Sequence, residues 1–484
     1  MPRRSVNRLL LLVVIVATPI GLSLFRTPLA EATGRGIAAI CARVIDHQYH
    51  VEIYFDHAQM RYATLELKGV GFKLRRYPSF EGFAETVRID FLTWVVELSD
   101  GRMPVGAQTL SFDGWFALRR SAAELSLGLP PTPCQEVLAA SPSFVTERLK
   151  GLVLRGSLSV DAEVMFDEIQ PDNTTLSVDL DEGCDVEEFG DVAPPERFRS
   201  PFLYKAYAAD GQPLPLLAGP GTPNWVNLDD ISSVLIDSVV QAEDPLFWQH
   251  NGILLPRIRT AIEENLKRGE PKFGASTITM QLAKNLFLGR EKTASRKTLE
   301  LFFTWYLERF HTKTQILELY LNVAEFGSSL YGVGAAAQHY FGRDPSELNL
   351  AEALYLAKLL PSPVKRSRDY VTGRPSARMA RRARWLARSL LRNGKITKKE
   401  YQDALAERPP FQRPGQERPP RRPPMAPNLN SGSGPEHLRR EGSPKLSGPR
   451  APSDLLLRAR AALVEVRVDP NPKAPQGIVR PTNH

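Results

Sequence analysis

Two glutamates, Glu243 and Glu300, bracket a run of hydroxyl, amide and basic side chains between Val239 and Phe326. Glu243 opens the segment Glu243-Asp244-Pro-Leu-Phe247-Trp-Gln-His250-Asn-Gly252, where an apolar helix meets a loop rich in aromatics. Partial burial there raises a carboxyl pKa toward neutrality, which suits a general base. Asp244 is open to two roles, capping local backbone or touching substrate. His250 has no second ligand at metal spacing and is read as structural. Further on, Ser276 or Thr277 caps a helix on which Thr277, Gln281, Lys284, Asn285 and Leu288 share one face. Donors and an ammonium at a helix start can hold an anion or a sugar, although a merely solvated face reads equally well. Arg296 and Glu300 stand four residues apart on the next helix, with Lys297 beside them. Taken alone this is a surface ion pair. Taken with the rest, the basic pair can hold a phosphate while Glu300 orients it or binds a divalent ion. Together these residues suit moving a sugar off a phosphate.

The elements that must position these groups are helical. Ile231, Val234, Leu235 and Val239 recur at helical spacing after Asn227, which places Glu243 near that helix's end. Leu299, Phe302, Phe303, Tyr306 and Phe310 form an apolar stripe on a helix from 295 to 310. Thr312 with Gln315, and Asn349 with Glu352, are capping boxes at two further helix starts. Residues 226–407 are therefore expected to be a helical domain. Before it, residues 35–190 read as β structure. Leu158, Val160, Ala162, Val164 and Phe166 alternate with polar residues, Leu176, Val178 and Leu180 repeat the pattern, and a phase slip at Gly69 suggests a bulge. Residues 191–225, rich in Pro and Gly, read as a linker. Residues 408–484, with Arg418-Pro-Pro-Arg-Arg-Pro-Pro and Ser431-Gly-Ser-Gly, have too little apolar content to order themselves.

The 484 residues allow two or three domains, and the net charge of +8 suits an anionic partner, with no nucleic-acid motif present. Residues 1–8 are basic and Leu9–Phe25 carries no charge, a short membrane span with the arginines held in the cytoplasm. Ala30-Glu-Ala32 leaves a cleaved signal peptide as the alternative. Either way the body is expected to be exported. In an exported domain Cys134 and Cys184 could form a disulfide, with three unpaired thiols as the other reading.

The ordered blocks resemble those of the peptidoglycan glycosyltransferases, the domain of monofunctional transglycosylases and penicillin-binding proteins. They comprise Glu243-Asp-x-x-Phe-x-x-His-x-Gly, Gly274-Ala-Ser-Thr-Ile with Gln281 and Lys284-Asn285, Arg296-Lys-x-x-Glu300, and Ile316-Leu-Glu-x-Tyr-Leu-Asn322. One departure is Met280, where the family usually has a glutamine. The resemblance runs from about Trp225 to Ala406 and implies a lysozyme-like, mainly α-helical fold, giving an α+β multidomain chain overall. It further implies Glu243 as general base and Glu300 as second catalytic carboxylate. Asp244, Ser276, Thr277, Gln281, Lys284, Asn285, Arg296 and Lys297 become substrate contacts. A divalent cation, Mg2+ or Mn2+, is an expected cofactor with Glu300 as its candidate ligand. The implied reaction is inverting polymerisation of lipid II on the outer side of the cytoplasmic membrane, in the periplasm. The expected partners are lipid II, the nascent lipid-linked glycan, the membrane and other wall-synthesis proteins. No Lys-Thr-Gly motif follows, so no transpeptidase is expected. Two rival readings remain, a lytic muramidase and a non-catalytic envelope scaffold. Lys68-Gly-Val-Gly-Phe-Lys and Leu149-Lys-Gly-Leu-Val-Leu-Arg-Gly also resemble strands of AsmA-type envelope proteins.

Overall fold

The computed structural model describes residues 27–75, 77–290, 293–406 and 411. The expected membrane segment and nearly all of the expected tail lie outside them, and no described helix is long and apolar enough to cross a membrane. The chain is mixed, with a β-rich N-terminal region and a helical C-terminal domain.

The first described element is a helix, α1 (Thr27–Tyr49), where β structure was expected from residue 35. Its apolar positions Ile37, Cys41 and Val44 follow helical spacing, and Ile37 and Ala38 are buried against the sheet. Gly34 lets the helix lie on the strand beneath it, because a Cβ there would come within 2.9 Å of the Ala58 carbonyl. The strands β1 (Val51–Tyr54), β2 (His57–Arg61), β3 (Thr64–Leu74), β4 (Tyr77–Asp90), β5 (Val95–Val105), β6 (Gln108–Ala117) and β7 (Ala122–Pro133) follow as antiparallel hairpins. Helices α2 (Cys134–Ala140) and α3 (Ser143–Thr146) and strand β8 (Val153–Arg155) lead to β9 (Ser157–Asp167), β10 (Thr175–Glu182) and β11 (Asp185–Glu188). β9 and β10 complete the sheet, while β11 pairs with β8. The phase slip at Gly69 is made by its left-handed φ of 62°. Register with β4 carries across it from Lys68↔Thr86 to Val70↔Ala84, so no residue is inserted there, and the β3–β4 irregularity falls at Lys73/Leu74 instead. Cys134 and Cys184 are joined in a disulfide.

The expected linker is mostly ordered. β12 (Phe202–Tyr207) and β13 (Pro213–Ala218) form a hairpin whose Phe202, Tyr204, Ala206 and Ala218 are buried in the main core. The helical domain contains α4 (Ser233–Glu243), α5 (Leu255–Arg268), α6 (Ile278–Phe287), α7 (Ala294–Phe310) and α8 (Lys313–Val323). The short strands β14 (Glu325–Gly327) and β15 (Leu330–Tyr331) precede α9 (Val333–Phe341) and α10 (Leu350–Leu359). The short α11 (Pro363–Arg366) and α12 (Arg368–Val371), then α13 (Ala377–Arg392) and α14 (Lys398–Ala406), close it. Ser232 caps α4, and both expected capping boxes form, at Thr312/Gln315 and Asn349/Glu352. Phe411, inside the expected tail, packs on Phe341, Tyr355 and Tyr370.

Candidate active site

Three helix ends converge. α4 buries Leu235, Val239 and Val240, which delivers Glu243 at its last turn with only 6% of its surface exposed. α6 begins at Thr277, whose Oγ1 accepts from Met280 N–H and donates to the Gly252 carbonyl at 2.6 Å. Asp244 is fully buried between the two helices. It accepts from Ile278 N–H at 3.1 Å and contacts His250 Nε2 at 3.0 Å. Asp244 and Thr277, expected among the substrate contacts, are therefore the joints that fix α6 against α4. His250 belongs to the same joint. Gly252 makes it possible, with φ at 85° and space that a Cβ would take from Thr304, 2.5 Å away.

Gln281, one turn into α6, ties the base to the cavity. Its Nε2 donates to Glu243 Oε2 at 3.0 Å, and its Oε1 accepts from the Tyr320 hydroxyl at 3.0 Å. The other Glu243 oxygen has no hydrogen-bond partner among the described residues. Burial drives the Glu243 pKa up, opposed by the Gln281 hydrogen bond and by Lys358, Arg257 and Arg366. A carboxylate raised in this way, with one oxygen left open, is better suited to take a proton than an ordinary one.

Beside Gln281 opens a cavity of about 490 Å³. Ser276, Gln281, Lys284, Asn285, Arg296, Lys297 and Glu300 all line it, so seven of the expected site residues share one space. Glu300 is 3% exposed and receives Arg296 Nη1 at 2.5 Å and Lys297 Nζ at 2.6 Å. Burial lowers the Lys284 pKa, Glu300 opposes that, and Arg296 and Arg290 add to it. The result is a wall of cations whose repulsion an anionic ligand would relieve. Glu300 does not fit as a metal ligand, because both its oxygens are already engaged by cations. Among the described residues no three His, Cys, Asp or Glu side chains converge to hold an ion.

The cavity has contributors that the sequence did not single out. Tyr204–Tyr207, from the stretch read as a linker, forms one wall. Arg290 stacks 4.5 Å from the Tyr207 ring and donates to Glu325 and to the Tyr331 hydroxyl. Leu360, Pro361 and Pro363 also line it, as does the largely buried Met280. Lys358, which the folded chain brings near Glu243, has its pKa lowered to about 8, mainly by burial. Tyr320 lies in the Ile316–Asn322 block and reaches Glu243 through Gln281, whereas no local pattern marks Lys358, which acts on Glu243 across a long stretch of chain.

A buried carboxylate joined through one amide to a cation-lined cavity suits an enzyme that transfers a group away from an anion. The transglycosylase family profile matches residues 212–390. A biosynthetic peptidoglycan transglycosylase of Shewanella amazonensis is 44% identical over 176 residues, 36% of this chain and 70% of that one. One from Shewanella oneidensis is 39% identical over 180 residues, 37% of this chain and 75% of that one. Penicillin-binding protein 1A from Haemophilus influenzae matches at 22% identity over 44% of this chain and 21% of that one, with a TM-score of 0.22. The chain belongs to the peptidoglycan transglycosylase family and is a glycosyltransferase.

Proposed function

We propose that the protein polymerises lipid II into glycan strands by inverting transfer, anchored in the cytoplasmic membrane by Leu9–Phe25 with its catalytic domain outside. Glu243 removes the proton from the acceptor sugar hydroxyl, and that oxygen bonds to the donor's anomeric carbon as the bond to lipid pyrophosphate breaks. The proton ends on Glu243 and the negative charge on the leaving pyrophosphate, where Lys284, Arg296 and Lys297 offset it. Glu300 holds the last two in place. Ser276, Gln281 and Asn285 offer hydrogen bonds to sugar and phosphate oxygens.

The observation that carries the proposal is the Gln281 bridge, because Gln281 lines the cationic cavity and bonds the buried Glu243, which lies just behind that lining. A lytic muramidase has no use for that cation cluster, which counts against the rival enzyme reading. The test is polymerisation of labelled lipid II by detergent-solubilised protein, beside Glu243→Gln. Glycan chains from the wild type and roughly a hundredfold loss in the variant are expected. An inactive wild type would leave the scaffold reading in front.

A further inference from the structure

The sheet has two ends, and they differ in chemistry. At one end lie the β2–β3, β4–β5 and β6–β7 turns and the β9–β10 connection, placed together by the pairings Arg61↔Thr64, Asp90↔Val95 and Ala122↔Asp167. Each of these four tips carries one large apolar side chain in the open: Tyr62 is 75% exposed, Leu92 78%, Leu118 49% and Ile169 66%. Some polar side chains of the same tips are tied back. Asp90 accepts from the Leu92 and Thr93 amides, Glu168 from the Ser121 amide, and Asp167 pairs with Arg120. Arg119 lies over the Trp94 ring. The four apolar side chains stand in the open among exposed polar ones, Arg61 and Asp172 included. At the other end the β5–β6 turn is Gly106–Ala107, tied to Glu136, with no such side chain.

The described chain also begins at the apolar end. The C-terminus of α1 is fixed at the opposite end by Asp46 to Arg75, while Gly34 lies over Ala58 and Gln59. From Gly34 to Thr27 is about 10 Å of helix, and from Ala58 to Arg61 is about 10 Å of strand. Thr27 is therefore level with the Tyr62 turn, and Leu9–Phe25, without a charge, precedes it with only Arg26 between.

We infer that this end of the sheet is a membrane-contact surface, with Tyr62, Leu92, Leu118 and Ile169 seated in the lipid interface beside the anchor. Several tips on a rigid sheet lose little conformational freedom on docking and bury apolar area together. The contact is assigned to the hydrocarbon reached by these four side chains, with the exposed Arg61 and Arg119 beside them at headgroup level. The sheet then stands upright on the bilayer. It also meets the catalytic domain near that end, through Lys267 and Asp172.

This inference rests on the anchored reading, and the test separates the two. The full chain, carrying Cys41→Ser, is labelled with an environment-sensitive dye at Leu92→Cys or, as a control, at Gln108→Cys. It is then reconstituted into phosphatidylethanolamine vesicles with and without phosphatidylglycerol. Expected is a blue-shifted Leu92 probe, quenched at least twofold by spin-labelled lipid in both vesicle types, with the Gln108 probe unaffected. Protein that floats with vesicles while both probes stay equally wet keeps the anchor and overturns the contact surface. Quenching only with phosphatidylglycerol overturns the hydrocarbon basis. Protein that does not float sinks both readings.

Discussion

Glu243 carries its pKa in the direction a base needs, and its surroundings say how to move it. Burial raises it, and Lys358 and the Gln281 amide pull it back. Removing the ammonium in Lys358→Met should raise the Glu243 pKa further, so the acid limb of kcat/KM moves to higher pH, whereas Lys358→Arg keeps the limb in place. An unmoved limb in Lys358→Met would show that Lys358 does not act on the base. The raised pKa also has a stability sign. A carboxyl with a raised folded-state pKa binds its proton more tightly when folded. The folded state therefore loses stability as pH climbs from the unfolded value of about 4.3 through the folded one. Glu243→Gln should then melt higher than wild type at pH 7.5, by about 1.4 kcal/mol for each pH unit that separates the folded pKa from the unfolded one, with the gap closing in acid. Thermal unfolding at both pH values checks this, and a gap that persists unchanged in acid rules the titration out as its cause. Glu243 itself was legible in the sequence, as a carboxylate where an apolar helix runs into aromatics. Lys358 was not, because only the packed domain brings its charge within reach of the carboxylate.

Among the elements, the helices were legible where capping and stripe agreed. Both capping boxes form, and the stripe of α7 buries Leu299, Phe303 and Tyr306. α1 escaped notice because its apolar positions are interleaved with Gly34, Gly36 and alanines that weaken the periodic signal. The hairpin β12–β13 was hidden by Pro213 and Pro215, whose composition reads as a linker although both sit on an edge strand that tolerates them. Asp244 shows how one residue sets the relation between two elements. It is fully buried, takes the first amide of α6 and the ring of His250, and stands at the end of α4. Asp244→Ala leaves a buried amide and a buried imidazole without their acceptor, which should cost about 3 kcal/mol. Activity should fall along with stability, since Gln281 rides on the same helix. Chemical denaturation with matched activity assays checks it. Full stability with lost activity would instead place Asp244 among the groups that meet substrate.

At the scale of the whole molecule, the described residues pack into a smaller and a larger core. The smaller core joins α1 to β2–β5, from Ile37 to Val96. The larger runs from Val145 to Ile396 and takes in Val192, Phe198 and the β12–β13 hairpin, so the expected linker is part of the catalytic domain's interior. Strand alternation cannot reveal this, since a half-buried strand looks alike whichever body covers it. The disulfide sits where the two bodies meet. Cys134 ends β7's path out of the sheet, and Cys184 leads from β10 into β11. β11 and the residues after it pack under α7 through Asp185 to Arg309 and Phe189 against Tyr306 and Phe310. Closing a loop of sequence separation 50 restricts the unfolded chain by about 4 kcal/mol. The double variant Cys134→Ser, Cys184→Ser should therefore be destabilised by about that amount. The loss should concentrate where the crosslink acts, because α6 and α8 are held by packing that the bond does not touch. Hydrogen exchange on the full chain should show faster exchange of β8 and β11 amides in the variant, with α6 and α8 unchanged. Uniform acceleration would mean that the two cores unfold as one unit. Unchanged exchange in β8 and β11 would mean that packing under α7 alone holds the junction.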